Sequence, residues 1–224
     1  MNLANGPKIS ITIATYRRRE LLARVIGAIE DQSVSWDEYE VIVCDSASGD
    51  GTRQMMSGLV AQYPNLRYVD LELNTLSAKR NAGVRESRAP LVAFLDDDAI
   101  PAFDFVAAHL RAHQGRSDQF ICGGVRFPQA WIARSNYFRF RDSRHLGPSR
   151  RDVDGENIPY PMIVVMNCSF RKEEILNRVG LVSEEFNRYG GEDYEFGYRV
   201  ARAGLKIRFA PEALVEHQDR KSVV

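Results

Sequence analysis

The feature that most constrains the fold is an alternation, over the first hundred residues, between apolar runs of strand length and amphipathic stretches of helical length. β-Branched residues dominate the apolar runs, whereas apolar residues three and four positions apart mark the stretches between them. Since strands joined by helices usually run parallel, the pattern predicts an α/β chain with a mostly parallel central sheet and helices on both faces. The four predicted strands are residues 9–14, 39–44, 66–71 and 91–95.

The pattern becomes irregular beyond Phe127. Residues 128–160 carry proline, glycine, arginine and aspartate with little periodicity, which predicts a long loop or a mobile insertion. The chain has 224 residues and no internal repeat, so one domain is expected. The later predicted elements are an ordered run at 163–170, helices at about 172–179 and 192–203, and short apolar segments at 207–210 and 213–215.

Composition excludes several classes of protein. Thirty Lys and Arg residues balance thirty Asp and Glu residues, and this zero net charge argues against a nucleic-acid-binding protein. The three cysteines are widely spaced and form no C-x-x-C pair, so neither a disulfide framework nor a zinc site is predicted. The first eight residues lack the apolar core of a signal peptide, and no apolar run is long enough to cross a bilayer. The expected location is therefore the cytoplasm.

The strongest chemical signal is the run Asp96-Asp97-Asp98, which directly follows a buried strand. Three adjacent carboxylates repel one another, and a hard divalent cation such as Mg²⁺ or Mn²⁺ relieves that repulsion while it also holds a diphosphate. Ligands of open α/β sheets bind outside the carboxyl ends of the strands, which is where this run is expected. The alternative is a solvated acidic turn that caps the next helix.

Three further features are weaker when each is taken alone. The pair Glu192-Asp193 follows two glycines at a predicted helix start, where acids also gain simple stabilisation from the helix dipole. His217 follows an apolar segment and is either an ordinary histidine or a nitrogen ligand near a carboxylate site. The arginine-rich run at 134–151, which includes Arg139, Arg141 and Arg144, is either a solvated loop or a surface that binds phosphate or a polar polymer.

Missing motifs narrow the choice of enzyme class. The sequence contains no G-x-G-x-x-G, no G-x-x-x-x-G-K-[ST], no G-x-S-x-G and no H-E-x-x-H. Dinucleotide oxidoreductases, P-loop NTPases, α/β-type serine hydrolases and zinc proteases are therefore disfavoured.

Taken in order along the chain, these motifs resemble those of the family 2 glycosyltransferases, inverting enzymes of the GT-A fold. Each motif is weak by itself, but the ordered set is specific and covers nearly the whole chain. Ser46 replaces the second aspartate of the family's DDGSxDxT segment, and Met166 stands where a small residue is usual. The segments that carry the resemblance are ITIATYRR at 11–18, VCDSASGDGT at 43–52, SAKRNAG at 77–83, FLDDD at 94–98, NCSFRK at 167–172, GLVSEEF at 180–186 and YGGEDYEF at 189–196.

The resemblance implies a nucleotide-binding half over about residues 1–98 and an acceptor-binding half over about 99–224, with a flexible arginine-rich loop near 128–160. It assigns Asp45 to the uracil base and Asp97 to the region of the ribose and the metal. Asp98 is the main ligand of Mn²⁺ or Mg²⁺, and His217 is a further metal contact. The residues assigned to the nucleotide-sugar are Thr15, Tyr16, Arg18, Asp45, Lys79, Arg80, Asn81, Asp96 and Asp97.

On the acceptor side, the resemblance assigns the general base to Asp193, next to Glu192, and places Asn167 with Arg139, Arg141 and Arg144 against the acceptor. The implied donor is a nucleotide diphosphate-sugar, most simply UDP-linked, and the acceptor is a glycan, a lipid-linked glycan or a small molecule. A lipid-linked acceptor would place the protein at the inner face of the membrane as a peripheral partner. The oligomeric state is not predicted.

Two other functions compete with this hypothesis. A non-catalytic module of the same fold would bind the nucleotide-sugar without turnover, and Ser46 and Met166 leave room for it. A sugar-1-phosphate nucleotidyltransferase would use a related sheet and metal. That class opens with a glycine-rich loop after the first strand, whereas this chain has Thr15-Tyr16-Arg17-Arg18-Arg19 there.

Overall fold

A computed structural model describes residues 6–144, 155–186 and 190–218. The described part of the chain contains one eight-stranded sheet with helices against it. The strands are β1 Ile9–Ala14, β2 Tyr39–Asp45, β3 Leu66–Asp70, β4 Leu91–Asp96, β5 Ala99–Pro101, β6 Gln119–Arg126, β7 Asn167–Arg171 and β8 Lys206–His217. The helices are α1 Arg19–Glu30, α2 Thr52–Gln62, α3 Leu76–Glu86, α4 Phe105–Ala112, α5 Gln129–Arg134, α6 Asn136–Arg144, α7 Lys172–Glu174 and α8 Glu192–Arg202. A 3₁₀ turn covers Tyr160–Met162, and a π-helical stretch, Ile175–Val179, continues α7.

The sheet has the strand order β3-β2-β1-β4-β7-β6-β8-β5. β1 pairs in parallel with β2 and β4, β2 with β3, and β6 with β8, whereas β7 and β5 pair antiparallel with their neighbours. Six strands therefore point in one direction, and β5 and β7 in the other. The predicted α/β class with a mostly parallel sheet is confirmed.

Alternate residues of β4 enter two different cores, one on each face of the sheet. Leu91, Ala93 and Leu95 pack with apolar residues of α1 and α2 on one face, while Val92 and Phe94 pack with α8 on the other. This alternation follows from the two-residue period of a strand, and it explains why β4 is apolar along its whole length. Helices cover both faces, as predicted.

The predicted loop over residues 128–160 is wrong in its first part. Residues 129–134 and 136–144 form the short helices α5 and α6, while residues 145–154 of the prediction lie outside the described residues. The Phe138 ring packs 5.0 Å from that of Trp131 and 5.2 Å from that of Phe127. A small aromatic core thus stabilises this segment. Its many arginines interrupt the apolar spacing that would have predicted the helices.

The two apolar segments predicted near the end of the chain belong to one strand. β8 pairs with β6 from Lys206 to Glu216, and its register shifts between Gly123 and Gly124 of β6. Residues 211–213 form a bulge at the shift, and two of them, Pro211 and Glu212, separate the two predicted apolar segments. The structure also adds β5, α4 and β6, which the sequence did not predict. No helix of the described residues is both long enough and apolar enough to cross a membrane.

Candidate active site

β1, β2 and β4 end at the same edge of the sheet, and the turns that follow them carry the predicted site. The turn after β1 and the turn after β2 each contain a non-glycine residue with positive φ, at Arg17 (53°) and at Ala47 (49°). Such conformations cost about 1–3 kcal/mol each and persist only where the surroundings hold them. Ser48 supplies that hold, because its hydroxyl accepts from the Arg17 amide at 2.8 Å and its carbonyl accepts from the Arg17 side chain at 3.1 Å.

Asp45, at the end of β2, stabilises the turn that follows this strand through hydrogen bonds to its carboxylate. Its carboxylate is buried and accepts hydrogen bonds from the Ser46 amide at 2.8 Å, from the Tyr68 hydroxyl at 2.9 Å and from the Ser48 hydroxyl. Burial, with the bond to Asp45, raises the pKa of Tyr68 to about 12. These contacts show Asp45 shaping the turn, and its assignment to a nucleobase stays a prediction.

Lys79 joins the first two turns from the first turn of α3, which Thr75 caps with a side-chain bond to the Ala78 amide. Its buried ammonium donates to the Thr15 carbonyl at 2.9 Å, to Asn74 Oδ1 at 2.8 Å and to Ser46 Oγ at 3.1 Å. Burial lowers the pKa of Lys79, and the carboxylates of Asp45 and Asp97 partly oppose that shift.

The Tyr16 ring lies 5.3 Å from the ammonium of Lys79. Tyr16, Thr15 and Lys79 therefore form one structural unit at the ends of β1 and β2. Asn74 also belongs to this unit, because it contacts both Lys79 and the Ser46 hydroxyl. No sequence motif marks Asn74, which lies in the irregular segment between β3 and α3.

Arg80 connects the two acidic motifs that lie far apart in the sequence. Its guanidinium is buried and donates to Asp96 Oδ1 and to Asp193 Oδ1, both at 3.1 Å. Burial disfavours the charge on Arg80, but the two carboxylates outweigh this effect and raise its pKa. Arg80 links the two carboxylates firmly, since its removal would leave both without their shared positive charge. The end of β4 and the start of α8 thus face one cleft.

Asp97 is buried and is held by residues of the turn that follows β1. Thr15 Oγ1 donates to Asp97 Oδ2 at 2.7 Å, and the Arg18 guanidinium donates to Asp97 Oδ1 at 3.2 Å. Burial raises the pKa of Asp97 to about 7, despite the opposing effects of Arg18 and Thr15. The three residues assigned to the nucleotide-sugar therefore do lie together.

Asp98 lies beside His217 because β5 pairs with the end of β8. His217 stands opposite Ala99 in that pairing, and its Nε2 is 3.6 Å from Asp98 Oδ1. Arg18 also forms an ion pair with Asp98. Burial acts to raise the pKa of Asp98, but His217 and Arg18 outweigh it and the pKa is lowered.

The donor set of Asp98 and His217 fits a hard or borderline divalent cation such as Mn²⁺ or Mg²⁺. A carboxylate oxygen and an imidazole nitrogen 3.6 Å apart can both reach one ion. No group of three or more His, Cys, Asp or Glu side chains able to hold a metal occurs among residues 6–144, 155–186 and 190–218. Mg²⁺ sites commonly use one or two carboxylates and complete the shell with substrate phosphates and water, so a cation at Asp98 and His217 stays a proposal.

Asp193 and Glu192 open α8, and two glycines set the geometry of the preceding turn. Gly190 and Gly191 have φ values of 101° and 96°, which a side chain would oppose. Glu192 is buried and accepts a hydrogen bond from the Gly190 amide at 3.1 Å, so it closes the turn. Asp193 is half-buried and reaches Arg80. Burial raises the pKa of Asp193, and Arg80 offsets part of that shift.

Two residues from the prediction lie outside this cleft. Asn81 is buried, and its amide contacts the Val182 backbone at 2.8 and 3.0 Å and Glu184 Oε1 at 2.7 Å, so it ties α3 to the segment after α7. Asn167 is also buried and donates to the carbonyls of Gly124 and Ala213 at 3.0 and 2.8 Å. Both amides lie in the protein interior, and their assignments to the donor and the acceptor stay predictions.

The arginine-rich helices α5 and α6 are connected through Phe127 to His217. The Phe127 ring, which contacts Phe138 of α6, is 5.3 Å from the His217 ring. Arg139 is exposed, and Arg141 donates to the Tyr137 hydroxyl at 3.3 Å. Arg144 ends α6, and its side chain lies outside the described part of the structure. A separate cleft of about 660 Å³ at the amino ends of β6 and β8 lies at the opposite edge of the sheet.

Known proteins that are similar in sequence to this chain include glycosyltransferases. Residues 10–176 match the model of the family described as "Glycosyl transferase family 2". The chain is 28% identical to a validoxylamine A glucosyltransferase of Streptomyces hygroscopicus subsp. jinggangensis, over 92% of this chain and 54% of that protein. It is also 28% identical to a chondroitin synthase of Escherichia coli, over 94% of this chain and 34% of that protein.

A mannosyltransferase of Pyrobaculum calidifontis, solved with GDP-Man and Mn²⁺, superimposes with a TM-score of 0.74 at 21% identity. The superposition covers 99% of this chain and 59% of the mannosyltransferase, and it shows that the chain has the GT-A fold. In these three comparisons, the chain spans between about one third and three fifths of the length of the matched protein. Three quarters of the sequence fit the family model, and on this evidence the chain belongs to glycosyl transferase family 2.

Proposed function

We propose that the chain is a metal-dependent inverting glycosyltransferase that moves a sugar from a nucleotide diphosphate-sugar to an acceptor hydroxyl by a single displacement. The observation that carries the proposal is the Arg80 bridge, which joins Asp96 of the strand-end cluster to Asp193 of α8 across one cleft. A cation site and a candidate base that face the same space are the two parts that such a displacement needs. The family of the chain supports the reaction class.

Asp193 is the candidate general base. Burial raises its pKa, which makes its carboxylate a stronger proton acceptor than an exposed aspartate. Arg80 holds one carboxylate oxygen at 3.1 Å and so orients the group. Asp193 takes the proton of the acceptor hydroxyl while the oxygen attacks the anomeric carbon. The bond to the diphosphate breaks on the opposite face, which inverts the configuration.

The donor side has a cation site at Asp98 and His217 and fixed polar groups on Lys79, Thr15 and Arg18. A divalent ion bound there supplies positive charge that stabilises the departing diphosphate. Arg18 provides a permanent positive charge at the same place, since it contacts both Asp97 and Asp98. We infer a UDP-linked donor from the residues that resemble the family's nucleotide-binding segments.

The test is Asp193→Asn, which removes the base and keeps the size of the side chain. We expect sugar transfer to fall by roughly 10²–10⁴-fold, the usual contribution of general-base catalysis. Binding of UDP with Mn²⁺, measured by calorimetry, should change less than about threefold. Glu195→Gln is the matched control, since Glu195 lies in the same helical turn and its carboxylate pairs with Arg199.

Undiminished transfer in Asp193→Asn would overturn the assignment of the base. A non-catalytic module remains the competing function, and Arg80 favours it in one respect, because the ion pair with Asp193 also stabilises the fold. A module would bind UDP and Mn²⁺ but would release no UDP from any of a panel of nucleotide-sugars. UDP release that needs the metal would exclude the module.

A further inference from the structure

Three tyrosines form a partly exposed aromatic surface, two of them on α8, the helix of Asp193, and one in the 3₁₀ turn that packs against it. The tyrosine platform comprises Tyr160, Tyr194 and Tyr198. Tyr194 and Tyr198 are 53% and 43% exposed. The Tyr160 ring lies 5.1 Å from that of Tyr194 and 5.6 Å from that of Tyr198, and both contacts are edge-on. Exposed aromatic residues that occur singly are ordinary, whereas a contiguous set indicates a binding surface.

The platform is rigid because the backbone beneath it is closely packed. Gly197 lies between the two helical tyrosines, and a side chain there would come within 3.0 Å of the Tyr160 carbonyl and of Ile163. The glycine lets the 3₁₀ turn that carries Tyr160 lie directly against α8. Ile163 and Phe196 are buried underneath. The rings therefore project from a fixed surface, so little conformational entropy is lost when a ligand covers them.

The position of the platform relates it to the proposed base. Tyr194 follows Asp193 directly in the first turn of α8. Tyr194, Tyr198 and Arg202 are spaced four residues apart, so they form one stripe along the helix, about 12 Å long at 1.5 Å per residue. The guanidinium of Arg202 lies 5.8 Å from the Tyr198 ring and extends the stripe. The stripe begins at the catalytic end of α8 and leads away from it.

We propose that the tyrosine platform binds the acceptor as a glycan chain, holding the sugar units behind the one whose hydroxyl meets Asp193. This inference rests on the proposed function. One face of a pyranose ring carries C–H groups with partial positive charge, which suits the negative face of an aromatic ring. The tyrosine hydroxyls and Arg202 can bond the polar rim of the sugar. An oligosaccharide matches the length and the mixed polarity of the stripe better than a small acceptor does.

The experiment measures binding without turnover. The wild type and the variants are applied, with UDP and Mn²⁺ present, to a printed array of linear oligosaccharides of one to four sugar units. We expect the wild type to retain some tri- or tetrasaccharides at least tenfold more strongly than the matching monosaccharide. Tyr194→Ala/Tyr198→Ala should lose at least tenfold of that retention. Tyr194→Phe/Tyr198→Phe keeps the ring faces and should stay within about threefold of the wild type.

Phe103→Ala is the control, because Phe103 is 60% exposed and lies outside the platform. The proposal is overturned if no oligosaccharide is retained, if the alanine pair binds as the wild type does, or if that pair turns a wild-type oligomer into a monomer in light scattering. The last result would make the platform a contact between copies. Metal-dependent UDP release by the wild type tests the proposed function separately, so either can fail without the other.

Discussion

Two buried polar regions of this protein differ in charge and in access to solvent. The first is the carboxylate cleft, where Asp96, Asp97, Asp98 and Asp193 face the guanidinium groups of Arg18 and Arg80. The second is the histidine cluster, made of His109, His113, Asn167 and Ser169 between α4 and the sheet. The first keeps charged groups near water, whereas the second keeps neutral groups away from it.

The hydrogen bonds of the histidine cluster define one direction of donation. Asn167 uses its NH₂ group on two carbonyls, so its Oδ1 must accept from His109 Nε2 at 3.0 Å. His109 Nδ1 then accepts from the Ser169 hydroxyl at 2.8 Å, and Ser169 Oγ accepts from His113 Nε2 at 2.9 Å. Both imidazoles are neutral, because burial lowers the pKa of His109 to about 4 and that of His113 to about 3.

The difference in charge and access suits the first region to the proposed binding role and the second to stability. Charges held apart by a fixed frame can respond to a ligand, as Asp98 and His217 would to a cation. A neutral network whose hydrogen bonds are made within the protein stabilises the packing of α4, β6, β7 and β8. Its polar groups are buried and do not reach a ligand. Mutations in the two regions should therefore affect different measurements.

The largest effect is expected in the cleft, for Asp98→Asn. Loss of the carboxylate should weaken Mn²⁺ binding in the presence of UDP by at least about 100-fold, which corresponds to about 2.7 kcal/mol. Calorimetric titration measures this change. Asp104→Asn is the control, since Asp104 is exposed and lies before α4. Equal Mn²⁺ affinity in Asp98→Asn and wild type would contradict the assigned cation site.

Asn167→Ala should act on stability instead of on catalysis. The change leaves the Gly124 and Ala213 carbonyls and His109 without the bonds that Asn167 now makes, and the expected cost is about 2 kcal/mol of unfolding free energy. Urea unfolding measures it, with exposed Asn157→Ala as the control. Transfer per folded molecule should not change. A rise in the acceptor KM at unchanged stability would instead support the acceptor role that the resemblance implied.

The smallest expected effect is on the pH dependence of the unfolding free energy. It is tested with two variants, His113→Gln and Glu30→Gln. His113 has a lowered pKa, so the unfolded chain takes up its proton first, and its stabilising contribution is lost as the pH falls below about 6.5. Burial raises the pKa of Glu30 to about 7, so its contribution has the opposite sign and is lost as the pH rises from about 4.5 to 7. The pKa of Asp97 is also raised, so its contribution to stability depends on pH in the same direction as that of Glu30.

Because these contributions oppose each other, each variant is compared with the wild type at pH 5 and pH 7 by urea unfolding. His113→Gln should be relatively more stable at the lower pH, and Glu30→Gln relatively more stable at the higher pH. Each slope should change by at most about 1.4 kcal/mol per pH unit. Parallel pH profiles for the wild type and His113→Gln would show that the pKa of His113 is the same in the folded and the unfolded chain, which would contradict the lowered pKa.

The sequence predicted the half of the fold in which each strand precedes a helix. The runs of β1, β2 and β4 are mostly apolar because both faces of these strands are buried, and that signal is local. β6 begins with a glutamine and contains two adjacent glycines at the bulge, so it lacks such a signal. A Cβ at Gly123 would lie 2.4 Å from the Asn167 amide, which means that a distant side chain requires this glycine.

The candidate site was predictable where carboxylates stand directly at the end of a strand or at the start of a helix. Asp96, Asp97 and Asp98 follow a strand end, and Glu192 and Asp193 begin a helix, so charge patterns mark them. Asn167 and Asn81 come from segments that resemble family motifs, but their amides point into the interior. Sequence patterns cannot show the direction of a polar side chain within a buried element. The histidines of α4 were missed for the same reason.

The sequence by itself determined the α/β alternation, the acidic strand ends and the membership of a family, because these depend on local periodicity and on the order of motifs. Only the tertiary structure decided which groups meet. Arg80 joins residues 96 and 193, and the pairing of β5 with β8 brings His217 to Asp98. Such contacts depend on the packing of segments that are distant along the chain. Local residue patterns do not show which of these segments pack together.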